Sequence, residues 1–169
     1  WPITLDPIFS GLAWSIIFTR QFWGLSILFI LAIGSSFAPY SVLPLFLVQD
    51  RGMDASTANM LLSISRLSGP FMVLVAGWVT DRFGPKLAMG SYFLLGGLAT
   101  IAMGLVRGPW LIAAIIIQPL LSVCFFPAGF AAMANSFPKQ YQNLVISLII
   151  PMGVYSGNGL YPQALGILG

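Results

Sequence analysis

Arg66 is the residue whose surroundings most demand a chemical explanation. It follows Asp54 by twelve residues and precedes Asp81 by fifteen, inside an otherwise apolar stretch. At about 1.5 Å per helical residue it lies ~18 Å from one end of that stretch and ~22 Å from the other. The side chain cannot reach water at either end, and a guanidinium in hydrocarbon costs at least ~2.5 to 3.5 kcal/mol, so it must face a cavity or a counter-charge. Asn59, Ser63, Arg66 and Pro70 recur at helical spacing and form one polar stripe that ends at an expected proline kink. A planar guanidinium fork matches a carboxylate or similar oxyanion, so the stripe predicts a binding site for a small organic anion such as a monocarboxylate. The alternative is that Arg66 neutralises a carboxylate from outside this sequence. The solute would then be neutral or amphiphilic, and Arg66 would belong to a gating or proton-coupling pair.

Weaker candidates for the same site are Tyr40, Gln118, Ser122, Tyr155 and Asn158, each within about two turns of the middle of its own apolar stretch. Taken singly, such groups serve as readily in helix-packing hydrogen bonds as in ligand binding. Chemistry of other kinds is poorly provided for. The chain contains no His and no Glu, and none of its four Asp falls inside an apolar stretch. Catalytic groups, metal ligands and cofactor-binding groups are therefore not expected, and the chain does not read as an enzyme. Cys124 cannot form an internal disulfide and reads as a small core residue.

The elements that must position Arg66 follow from composition. Hydrophobic residues make up 58% of the 169, charged residues 7%, and the mean hydropathy is +0.94, so the solvent for most of the chain is a lipid bilayer. Seven Lys and Arg against four Asp are too few and too scattered for nucleic acid. About 20 helical residues cross a bilayer, and five stretches suffice: 22 to 47, 55 to 80, 87 to 106, 109 to 134 and 142 to 168. The expected fold is an all-α polytopic bundle over 22 to 169, preceded by a segment, 1 to 21, whose apolar run 7 to 19 suits a helix lying in the interface. Prolines inside the spans bend helices without ending them, because neighbouring helices satisfy the freed carbonyls. In the third span, Gly90, Gly97 and Gly104 suggest a small-residue packing face.

The connections are short. Arg20, Arg82, Lys86 and Lys139 fall on one side and Arg51 and Arg107 on the other. The bias of basic residues places 1 to 21, 81 to 86 and 136 to 142 in the cytoplasm of a multi-pass cell-membrane protein. That bias accounts for Arg82 and Lys86. It does not account for Asp81, nor for the glycines at set offsets around it.

The pattern Gly77-x-x-x-Asp81-Arg82-x-Gly84-x-Lys86 between two membrane helices resembles the signature loop of the major facilitator superfamily of secondary transporters. In that family the loop joins the second and third helices and recurs, less strictly, between the eighth and ninth. Pro85 stands where the family usually carries a basic residue, which points to the second copy. The resemblance implies that the five spans are the seventh to eleventh of twelve, that 1 to 21 is the central loop, and that a six-helix N-terminal half is the chain's partner. It also implies alternating access, with coupling to a co-transported proton among the options. The signature loop would act as a latch between halves, with Gly77 admitting a close helix, Gly84 turning the chain and Asp81 meeting a helix N-terminus.

Overall fold

The computed structural model describes residues 15 to 67, 69 to 160 and 163. All regular structure among them is helical: α1 (Arg20–Gln49), α2 (Ala55–Leu67), α3 (Gly69–Phe83), α4 (Pro85–Leu105), α5 (Pro109–Ser136) and α6 (Lys139–Tyr155), the last continued by a π-helical turn, Ser156–Leu160. Among the described residues, four spans are long and apolar enough to cross a membrane by length and composition: Arg20–Gln49, Ala55–Phe83, Pro85–Leu105 and Pro109–Ser136. The fifth expected span is described over 139 to 160. Apart from residue 163, its remainder lies outside the described residues, as do residues 7 to 14 of the interfacial run at 7 to 19, whose residues 15 to 17 form a short helical turn.

Helix starts and turns follow local rules. Thr19 caps α1, its Oγ1 accepting from the Phe22 N–H at 3.3 Å, and Asp54 Oδ2 accepts from the N–H groups of Ser56 and Thr57 at the start of α2. The three positive-φ residues among those described are glycines, each in a turn between helices: Gly52 at 65°, Gly84 at 83° and Gly108 at 63°. Gly84 and Gly108 are each followed by a proline at the first helical position, where a missing N–H costs nothing. Pro85 therefore has a structural use that a basic residue would not share.

Two apolar clusters fix the alternation of the helices. One joins Phe22, Phe29 and Ile33 of α1, Ala88 and Met89 of α4, Phe125 and Met133 of α5, and Val145 and Ile149 of α6. The other joins Leu43 and Leu47 of α1, Ala58 and Leu62 of α2, Met103 of α4, and Leu111 and Ile115 of α5. Arg20, Arg82, Lys86 and Lys139 thus gather at one end of the bundle, and Arg51 and Arg107 at the other. Helix α5 is central and packs against all five other helices. Cys124 is buried, its thiol donating to the Leu120 carbonyl at 3.0 Å.

The close helix approaches are not where small residues repeat most regularly. A methyl at Gly90, Gly97 or Gly104 would meet nothing within 4 Å, so the packing face expected there is not used among the described residues. Gly77 likewise has open space around it, so the close approach expected at that position is not made within the described residues. A methyl at Gly129 would instead lie 2.7 Å from the Phe29 ring, one at Gly153 2.5 Å from Ile33 Cδ1, and one at Gly157 2.8 Å from the backbone nitrogen of Gly34. These glycines seat α5 and the α6 segment against α1.

Candidate functional site

Between the two apolar clusters lies a polar layer. Pro39, in the middle of α1, supplies no N–H to the carbonyl of Ser35, four residues back. Gln118 of α5 takes that carbonyl, its Nε2 donating at 3.1 Å. The same nitrogen lies 3.3 Å from Thr100 Oγ1 of α4 and 3.1 Å from Ser122 Oγ. Gln118 is 1% exposed. Its amide joins three helices where a proline has opened a backbone ladder, as membrane burial requires.

Beside this network opens a cavity of about 370 Å³, whose wall includes Ser36, Tyr40, Ser65, Arg66, Ser122 and Phe126. The wall draws on α1, α2, α3 and α5. Arg66 stacks on Tyr40, its Cζ 3.9 Å from the ring centroid, with the Phe37 ring farther off at 6.0 Å. A cation over a ring face is attracted by its π-electrons, and the Arg66 side chain is otherwise exposed. Pro70 also lines the cavity and supplies no N–H to the Arg66 carbonyl, four residues back. Among the described residues no Asp lies within ion-pair distance of Arg66, and the wall contains no other charged residue. The site is a mostly apolar chamber with one oriented cation and several hydroxyls, a composition that suits a small anion carrying an apolar body.

The expected site residues divide accordingly. Arg66 and Tyr40 are brought together on the wall, which Ser122 also lines. Asn59 and Ser63 are exposed on the surface of α2, and the Ser63 hydroxyl donates to the Asn59 carbonyl at 2.8 Å. Gln118 lies next to the wall but not on it. Tyr155 is 79% exposed on α6, away from the cavity wall, and the side chain of Asn158 lies outside the described residues. Ser36 and Ser65 were not anticipated. Ser36 stands one helical turn before Tyr40, a spacing that puts both on one face.

The charged loop is the second feature. Asp81, Arg82 and Lys86 are all exposed at its surface, and the Arg82 guanidinium lies 5.6 Å from the centre of the Trp78 ring. Asp81 has no hydrogen-bond or ion-pair partner among the described residues. The Gly84 N–H donates to the Thr80 carbonyl at 2.9 Å, which closes α3 and turns the chain into α4.

A family model described as Major Facilitator Superfamily matches residues 3–162. No curated protein and no solved structure matches the chain.

Proposed function

Because the chain belongs to the Major Facilitator Superfamily, a family of secondary transporters rather than enzymes, we propose that it moves a small organic anion, such as a monocarboxylate, across the cell membrane by alternating access. The observation that carries the substrate class is Arg66, a membrane-embedded guanidinium stacked on Tyr40 in a chamber of about 370 Å³. On this reading Arg66 pairs with the anion, Tyr40 holds the guanidinium plane, and the Ser122 hydroxyl, which accepts from Gln118, donates to a remaining acceptor. Phe37, Val123 and Phe126 receive the apolar body. Asn59 and Ser63 extend the polar stripe along α2 toward the end of the bundle that carries Arg51 and Arg107.

The same reading makes the five spans the seventh to eleventh of twelve, with a six-helix partner half closing the chamber. The loop at 81 to 86 faces the cytoplasm, and Asp81 latches the halves there. A second reading, transport of a neutral or amphiphilic solute, is supported by the apolar share of the wall, and it assigns Arg66 to a carboxylate of the partner half.

Equilibrium binding of small carboxylates and their neutral analogues to the intact protein separates the two. Direct contact predicts that Arg66→Gln weakens carboxylate binding by roughly 30-fold to several-thousand-fold and leaves neutral analogues unaffected. If Arg66 neutralises a partner carboxylate, removing both charges together restores what either single change destroys.

A further inference from the structure

At the end of the bundle opposite the Asp81 loop, a separate cavity of about 380 Å³ is lined by Asp50, Arg51, Met53, Arg107, Gly108 and Leu111. Two of the chain's seven basic residues face this one pocket, and no ion pair within 4 Å neutralises either of them among the described residues. The single carboxylate in the wall, Asp50, is exposed.

Arg51 is held in place. Its Nη2 donates to the Gly104 carbonyl at 2.8 Å, and its Cζ sits 4.9 Å from the centre of the Phe46 ring. Its Nε is buried and has no acceptor among the described residues, although a buried donor normally finds one. Arg107, by contrast, is exposed. Gly108 is the N-cap and Leu111 lies in the first turn of α5, a helix of 28 residues with no side-chain cap, so its positive end adds to the field in the pocket. The turn between α1 and α2 that carries Arg51 is itself tied down, the Met53 N–H donating to the Leu47 carbonyl at 2.9 Å.

We infer that this pocket is a second anion site, a mouth site that binds a small oxyanion of the carboxylate or phosphate class between Arg51, Arg107 and the start of α5. It stands apart from the Arg66 chamber and does not depend on that chamber's ligand. The oxyanion has two sources, a free anion in solution or the phosphodiester of an anionic phospholipid at that surface, and both present the same acceptors to the two guanidinium groups.

The test uses the intact protein carrying Arg66→Gln, so that the central chamber contributes no cation. Binding of inorganic phosphate and of acetate is measured by calorimetry in lipid-free detergent, then in nanodiscs with and without phosphatidylglycerol. The inference predicts saturable binding that Arg107→Gln weakens about tenfold and Arg107→Lys partly restores. Arg107 donates to nothing else among the described residues, so its loss should leave the Tm unchanged, whereas Arg51→Gln should also lower the Tm by releasing the Gly104 carbonyl. Competition by phosphatidylglycerol that is lost in Arg107→Gln assigns the site to lipid, and its absence assigns it to the free anion. Phosphate and acetate binding that is undetectable in detergent, or equal with and without Arg107, overturns the inference.

Discussion

The Arg66 guanidinium lies 3.9 Å from the centre of the Tyr40 ring, and a stack of that kind contributes about 0.5 to 2 kcal/mol depending on how dry the site is. Tyr40→Phe keeps the ring and should leave anion affinity nearly unchanged. Tyr40→Leu removes it and should weaken binding by about twofold to 30-fold, measured on the same carboxylate panel. Arg66→Lys should fall between wild type and Arg66→Gln, since it keeps the charge and loses the two-point fork. Gln118 separates structure from ligand binding at the same scale. Gln118→Leu leaves the Ser35 carbonyl without its donor and should cost ~1 to 3 kcal/mol of stability, seen as a lower Tm, while carboxylate affinity stays within about twofold. Arg66 was legible in the sequence because it is the one charge far from any span end. Gln118 was visible only as a polar residue, because its task depends on Pro39 of a helix some eighty positions away. Ser36 and Ser65 were illegible because a serine in a membrane helix usually bonds its own backbone. Both do so here, to the carbonyls of Ala32 and Leu62, and only the packing shows that they also line a chamber.

Helix existence was readable from span length, which the bilayer dictates. Which faces the helices present to one another was not. Gly90, Gly97 and Gly104 look like a packing stripe and meet open space, while Gly129, Gly153 and Gly157 carry the close contacts. A stripe states that a neighbour could approach, not that one does. Substitution by alanine should therefore discriminate among glycines of equal sequence appearance. At Gly157 the new methyl would face the Gly34 backbone at 2.8 Å, which cannot rotate away, so Gly157→Ala should cost ~1 to 3 kcal/mol and lower the Tm. At Gly153 the obstacle is the movable Ile33 Cδ1, and the loss should be smaller. Gly97→Ala should leave the Tm unchanged or raise it, as expected when a helical glycine gains a methyl in free space. Equal losses at Gly157 and Gly97 would contradict this account of how α6 is seated.

For the molecule as a whole, the proposed alternating access exchanges two arrangements of the halves, and any contact present in only one of them sets their balance. Asp81 is an exposed carboxylate with no partner among the described residues, at a turn fixed by Gly84. Asp81→Asn should shift accessibility labelling toward one side of the membrane in the intact protein, with carboxylate affinity for the competent state nearly unchanged. Labelling that stays the same on both sides rules out the latch. The substrate class is the larger claim, and its most direct test is uptake of a labelled small monocarboxylate into proteoliposomes containing the intact protein or Arg66→Gln. The account predicts saturable uptake by wild type that unlabelled carboxylates inhibit and neutral analogues do not, and its loss in Arg66→Gln at the same substrate concentration. Saturable carboxylate uptake that persists undiminished in Arg66→Gln would contradict it.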